Sequence, residues 1–337
     1  MSEGEGRDLG SFLFDPATNE AIRDALPEFV VAFLEVITRL GDGATLVAVA
    51  MLLYWFGAEQ DRHKRAMVLA VAVATLALVA GLKGILEVRR PLFAAAAAGE
   101  PLAFAPEFYE GYSTPSAHSM GAAAVYGALA VVMDTGKRWQ RYLVAGVLIV
   151  TIPLSRVVVG VHYLGDVISG ALLGLLLVAI ALRITEESIT PMFGLSFGIA
   201  VTAFLLGSSE FVAMSIGASL GGLLVWPYIE DIDADPMGAS ILMLGIIVVP
   251  LFLVLRLVDA LVSVGISIEI TGLGAVPLVS IGSTIGYAIL FGAALAVPVL
   301  ASKLDDTEAV HRLQTVLPFS GRTVEAESLG EEPDAAD

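Results

Sequence analysis

Two histidines, an aspartate and several cations fall into three short stretches whose spacing suits chemistry on a phosphate group. The first is LKGILEVRRP, residues 82–91. Lys83 and Arg90 are seven apart, which on a helix is nearly two turns, so both would lie on one face about 10 Å apart along the axis. Pro91 disfavours helical geometry at Arg90 and is expected to end the segment there. Two cations at the emergent end of an apolar helix can converge on one anion, although snorkelling at a membrane interface would use the same residues. The second stretch is STPSAHSMGAAAVYG, residues 113–127. A polar turn runs directly into a helix, so that N–H groups near Ala117 and His118 point out of a helix start, where anions bind well, and Ser116 adds a hydroxyl. A plain serine helix cap with an incidental histidine is the alternative. The third is SRVVVGVHYLGD, residues 155–166. Arg156 ends one apolar helix, His162 opens the next, and Asp166 follows four residues later on the same face. A carboxylate that accepts from one ring nitrogen fixes the tautomer and leaves the other nitrogen free to attack; a structural His–Asp pair between helices has the same spacing.

Each stretch alone has an ordinary explanation. Together they carry more. The chain has four histidines, His63, His118, His162 and His311, and two of them fall here. Phosphoryl transfer requires cations around the equatorial oxygens, an in-line nucleophile and a proton donor for the leaving oxygen, and this set supplies each.

The elements that must position these residues are membrane helices. Hydrophobic residues make up 57% of the 337-residue chain and the mean hydropathy is +0.83, well above the roughly 45–50% apolar content of soluble domains. The excess is arranged in long apolar runs broken by short polar loops, the pattern of a helical membrane protein. The expected fold is an all-α polytopic bundle of about nine transmembrane helices, at 43–58, 66–88, 118–134, 141–158, 162–183, 190–208, 210–227, 238–258 and 274–301. Residues 29–40 would span only about 18 Å as a helix, short of a ~30 Å hydrocarbon core; they read as an interfacial or re-entrant helix ending at Gly41-Asp42-Gly43, with a true span as the alternative. The expected domains are an N-terminal polar segment with that interfacial helix (1–42), a core carrying the three stretches (43–185), an appended transmembrane bundle (186–301), and an acidic, disordered tail (302–337). The Gly-rich run 272–300, with Pro277 and Pro298, is expected to be bent or partly re-entrant. The acidic start of the chain shows no cleavable signal peptide.

Loop charges set the orientation. Arg62, Lys64 and Arg65 share one loop, Lys137, Arg138 and Arg141 another, and Arg183 and Lys303 flank helix ends on the same side, which the positive-inside rule makes cytoplasmic. Lys83, Arg89, Arg90 and Arg156 fall on the opposite side. They break the rule, and they belong to the three stretches. The chain is thus expected to be a multi-pass cell-membrane protein, with its site extracytoplasmic and its C-terminal tail cytoplasmic. A formal net charge of −17 argues against nucleic acid as a partner and suggests a high-salt habitat that screens self-repulsion. With no cysteine, disulfides, thiolate catalysis and Cys-based zinc sites are excluded.

The ordered pattern Lys83-x6-Arg90-Pro91, Pro115-Ser116-Ala117-His118 and Ser155-Arg156-x5-His162-x3-Asp166 resembles the three-part signature of the type 2 phosphatidic-acid phosphatase superfamily. That superfamily includes lipid phosphatases, polyprenyl-diphosphate phosphatases, glucose-6-phosphatase and vanadium-dependent haloperoxidases. The resemblance covers roughly residues 40–185. Ala117 departs from the family's usual glycine but keeps the backbone N–H. The resemblance implies that His162 is the nucleophile and becomes phosphorylated, that Asp166 orients it, and that His118 protonates the leaving oxygen and then activates water. It further implies that Lys83, Arg90, Ser116, the Ala117 N–H and Arg156 hold the phosphate, with no metal and no cofactor. The acidic stretch 230–235 lacks calcium-loop spacing and reads as a solvated loop.

The substrate expected first is a lipid phosphomonoester or polyprenyl diphosphate entering from the bilayer, with the apolar and aromatic loop 92–114 as a lipid-facing lid. The alternatives are a sugar-phosphate phosphatase similar to glucose-6-phosphatase, a lipid headgroup phosphotransferase, and a non-enzymatic lipid-binding or transport module. In the C-terminal helices, Ser208, Ser209, Glu210, Arg256, Asp259 and Glu269 either cap helix ends or line a dimer surface or vestibule. The small residues of MSIGASLGG (214–222) would allow close helix packing and a homo-oligomer.

Overall fold

The computed structural model describes residues 9–57, 61–92, 111–206, 211–261, 267–270 and 274–316. Three short helices, α1 (Leu9–Leu13), α2 (Pro16–Asp24) and α3 (Glu28–Ile37), lead through a 3-10 turn (Thr38–Gly41) into α4 (Gly43–Phe56). Then follow α5 (Arg62–Leu86), α6 (Ala117–Val132), α7 (Arg138–Val158), α8 (Leu164–Ile184), α9 (Thr190–Leu205), α10 (Val212–Ile229) and α11 (Gly238–Leu261). A short antiparallel hairpin, β1 (Ser267–Ile270) with β2 (Gly274–Pro277), precedes α12 (Leu278–Ser302) and α13 (Glu308–Val316).

The α5 helix is apolar around its circumference and buried along most of its length, as expected of a helix enclosed by others. It packs against α4, α6, α8, α9 and α10. The α6 and α8 helices approach until backbone meets backbone. A Cβ at Gly174 would stand 2.4 Å from the Met120 carbonyl oxygen, and one at Gly170 2.8 Å from that of Ser116, so only glycine permits this contact. One apolar cluster runs from Leu46 of α4 to Ala301 of α12. The outer faces are apolar as well, with Val150 63%, Leu172 63% and Ile246 70% exposed, the surface a lipid solvent requires.

The helical membrane architecture matches the expectation; the count of nine is not confirmed. Among the described residues, six helices, α5, α7, α8, α10, α11 and α12, are long and apolar enough to cross a membrane, or seven if the pair from Glu28–Gly41 to Gly43–Phe56, bent by 58°, forms one broken span. Helices α6 and α9 have 16 residues each, about 24 Å of rise, short of a full crossing. Two further boundaries move. The run 274–301 opens as a strand, and its helix starts at Leu278, after Pro277. Within 302–337, expected as structureless, residues 308–316 form α13, whose Val310 is fully buried. The Asp305 carboxylate ahead of it accepts from Met237 N (3.1 Å) and Ser240 Oγ (2.5 Å), which holds the start of α11. The small residues of 214–222 face α12 of the same chain: Cβ atoms at Gly217 and Gly221 would stand 2.4 and 2.3 Å from the Thr284 and Ala288 carbonyl oxygens. Most of the expected lid (93–110), together with Ser208, Ser209, Glu210 and residues 317–337, lies outside the described residues.

Candidate active site

The third stretch folds as a helix end, a turn and a helix start. At the end of α7 the chain turns through Gly160, whose φ of +76° is a backbone state glycine adopts without strain. Val161 N and His162 N both donate back to the Arg156 carbonyl, at 3.2 and 3.3 Å. His162 is therefore not the first residue of a helix, as expected, but sits in the turn two residues ahead of α8. The N-terminal segment staples this turn. The Asn19 amide donates to the carbonyls of Val157 (2.9 Å) and His162 (2.8 Å), and Arg23 donates to that of Val158 (2.8 Å).

Asp166 is fully buried and is the hub of the site. Its Oδ2 accepts from Tyr163 N at 2.8 Å, which caps the first turn of α8. The same atom lies 3.4 Å from His162 Nδ1. Ser113 and Thr114 both donate their hydroxyls to this carboxylate, and Ser113 Oγ lies 3.3 Å from His162 Nδ1. With Nδ1–H directed at Asp166 and Ser113, the Nε2 lone pair faces outward, 3.2 Å from Arg90 Nη1.

Arg90 reaches that position by leaving the helix. The α5 helix ends at Leu86, four residues before Arg90, because Glu87 takes the left-handed conformation (φ 48°) and donates its N–H to the Lys83 carbonyl as a C-cap. Lys83 and Arg90 thus do not share a helix face, contrary to the seven-residue reading. Arg90 is 5% exposed and donates to the carbonyls of Val161 (2.9 Å) and Gly111 (3.2 Å). These bonds compensate a cation that is otherwise unfavourable in an apolar interior.

The second stretch opens α6 at Ala117. Ser116 is the N-cap: its fully buried hydroxyl accepts from Ser119 N (3.4 Å) and Ser119 Oγ (3.0 Å), and its backbone N–H donates to the Asp166 carbonyl (3.1 Å). The helix-cap alternative therefore describes Ser116. Ala117 is the first helical residue and leaves its N–H at the helix start. His118 Nε2 lies 2.8 Å from Asp42 Oδ1. Arg156 is 1% exposed and donates Nη1–H to Thr38 Oγ1 at 2.8 Å. The charge of Lys83, half-buried, acts on both His162 and His118, and that of Arg156 acts on His118.

The structure thus gathers His162, Asp166 and Arg90 directly, and sets His118 and Arg156 against the α3–α4 bend, with Lys83 acting on both groups. Burial holds the His162 imidazole well below the ordinary histidine range; its hydrogen bond to Asp166 opposes the shift, and the Arg90 and Lys83 charges add to it. The ring is therefore neutral near pH 7, as attack through a lone pair requires. Such an arrangement can place a nucleophilic nitrogen beside cations that bind a phosphoryl oxygen. Sequence reasoning missed Ser113 and Thr114, which were visible only as part of a polar turn, and Asn19, Thr38 and Asp42, which lie far away in the chain. The acidic stretch 230–235 is not wholly solvated: Glu230 accepts from Trp226 Nε1 and Ser188 Oγ, both at 2.7 Å.

Residues 64–190 match the family model of the PAP2 superfamily, a segment that contains all three stretches. The chain is 42% identical over 81 residues to phosphatidylglycerophosphatase B of Bacillus subtilis (strain 168), an alignment covering 22% of this chain and 40% of that protein. The chain thus spans about two fifths of the length of this curated relative. It is also similar to a solved structure, described as the first transmembrane PAP2 type phosphatidylglycerolphosphate phosphatase from Bacillus subtilis, at 29% identity and a TM-score of 0.41 over 51% of this chain and 85% of that one.

Proposed function

Residues 64–190 being a PAP2 superfamily segment, we propose that this chain is an integral membrane phosphatase that hydrolyses a lipid phosphomonoester through a phosphohistidine at His162. The observation that carries the reading is the orientation of one ring. His162 is held through Nδ1 by Asp166 and presents Nε2 to Arg90, so its free lone pair points where a bound phosphoryl group would meet a guanidinium. In this reading His162 attacks phosphorus, Asp166 keeps the tautomer and stabilises the imidazolium, and His118 handles the proton of the leaving oxygen. Lys83, Arg90, Arg156 and the Ala117 N–H hold the equatorial oxygens, and Ser116 acts by shaping the helix start. The protein's own cations neutralise the phosphate, so the mechanism uses no metal.

The similarity to a phosphatidylglycerophosphatase makes phosphatidylglycerophosphate the first substrate to test, ahead of phosphatidic acid, polyprenyl diphosphate and glucose 6-phosphate. The experiment measures phosphate release by purified protein in detergent at high salt with chelator present, with and without vanadate, beside His162→Ala. The expected result is vanadate-sensitive release from a lipid substrate, a phosphoenzyme trapped by acid quench, and loss of both in the variant. Robust turnover by folded His162→Ala would overturn the mechanism, and a clear preference for glucose 6-phosphate would move the substrate class to sugars.

A further inference from the structure

We propose that Asp42, which lies outside the family-matched segment, is a positioning residue for the proton-transfer step: its carboxylate orients His118 so that Nδ1 is the nitrogen that exchanges protons with the substrate. The proposal rests on the reading of His118 as the acid–base group.

Asp42 occupies the N-cap position of α4, with extended backbone (φ −61°, ψ 134°), where aspartate ordinarily accepts from the helix's own N–H groups. Here its side chain makes no capping hydrogen bond. The carboxylate turns away from the helix it begins and takes His118 Nε2 at 2.8 Å. A cap stabilises a helix start, so its omission here points to another use for the group. The neighbouring residue covers the same edge of the ring: a Cβ at Gly41 would lie 3.1 Å from His118 Cδ2, 3.2 Å from His118 Cβ and 2.5 Å from Ile152 Cγ2. Gly41 and Asp42 thus enclose the Cδ2–Nε2 edge, and the opposite edge, Nδ1–Cε1, is the one left for substrate. The same bend supplies Thr38 to Arg156, so the 58° break between α3 and α4 is fitted to two site residues at once. Burial and the Arg156 and Lys83 charges bring the His118 pKa down to about 4, and the Asp42 carboxylate opposes them in part.

The proton balance follows. His118 takes up a proton as the negatively charged phosphate binds against Arg156 and Lys83; as the His162 Nε2–P bond forms and the P–O bond to the leaving group breaks, its Nδ1–H passes the proton to the leaving oxygen. Neutral Nδ1 then takes a proton from water while the water oxygen bonds to phosphorus and the P–N bond breaks. His118 returns to imidazolium and His162 to its neutral form. Throughout, Nε2–H stays on Asp42.

The test compares kcat/KM for an alkyl lipid phosphate, whose leaving oxygen needs a proton, with that for p-nitrophenyl phosphate, whose leaving group does not. Asp42→Asn is expected to lower the alkyl value about tenfold or more, part of the roughly 10²–10⁴-fold that such catalysis supplies, and the aryl value much less. Asp42→Ser leaves a residue able to cap α4 but with no charge, and is expected to give the same selective loss without loss of thermal stability; Asp42→Glu should recover part of the alkyl rate. Equal losses on both substrates, or none, in Asp42→Asn and Asp42→Ser overturn the proposal. His118→Ala, run alongside, separates the two ideas. A selective loss there with none at Asp42 sinks only the positioning role, whereas an unselective loss at His118 sinks the acid–base reading beneath it.

Discussion

At the scale of single residues the site is organised by a buried carboxylate more than by its cations. Asp166 binds Tyr163 N, Ser113, Thr114 and His162 at once, so the ring it orients has little freedom to turn. This geometry makes a pH prediction. Burial lowers the His162 pKa, so the neutral, nucleophilic ring persists below the ordinary histidine value of about 6.5 and is lost only as pH falls through the depressed value. The acid limb of kcat/KM, which reports the free enzyme, is therefore expected below pH 6.5. A limb that begins above it would contradict a neutral buried His162. The motif spacing in the sequence was enough to single out His162, Asp166, Arg90 and His118, because their types and order are local information. Ser113 and Thr114 escaped notice because hydroxyls are common in turns, and nothing local says that two of them meet one carboxylate.

At the scale of elements, the helix ends decide which side chains meet. The left-handed C-cap at Glu87 releases residues 87–90 from α5 and lets Arg90 fold toward His162, which an uninterrupted helix to Pro91 would not do. The α6–α8 contact then sets the separation of the second and third stretches. Gly174→Ala is expected to destabilise the protein by about 1–3 kcal/mol, since its Cβ would meet the Met120 carbonyl oxygen at 2.4 Å. Gly146→Ala, where a Cβ meets nothing within 4 Å, is expected to gain up to about 1 kcal/mol from helix propensity. Thermal unfolding of both in detergent checks the pair, and equal behaviour would remove the close-packing account. The stretch 214–222 was legible as a packing face, but which helix it would face was not: small residues permit close approach without naming the partner.

At the scale of the whole molecule, the site lies at the end of the bundle opposite the one that carries Lys64 and Arg65 at the start of α5 and Lys137 and Arg138 at the start of α7. Lys64 there binds Asp134 at 2.8 Å across the α4–α5 and α6–α7 connections. By the positive-inside rule that end is expected to be cytoplasmic and the site extracytoplasmic. Because the chain has no cysteine, single substitutions report sidedness without background. Thr135→Cys is expected to resist a membrane-impermeant maleimide in intact cells and Tyr112→Cys to react; the reverse pattern would invert the topology. The N-terminal helices, read from sequence as a polar segment with an interfacial helix, hold the His162 turn through Asn19 and Arg23 and contact Arg156 and His118 through Thr38 and Asp42.

What the sequence by itself determined was chemistry and solvent: the residue types, their order in three stretches, and an apolar content that only a bilayer can accommodate. Those features depend on composition and short-range spacing, which one chain displays in full. The tertiary structure alone decided how many helices are long enough to cross, where Arg90 leaves its helix, and that Asp42 serves His118 from 76 residues away. Such contacts depend on where helices stop and how closely backbones approach, and those quantities are set by packing between segments that carry no record of one another in the linear order.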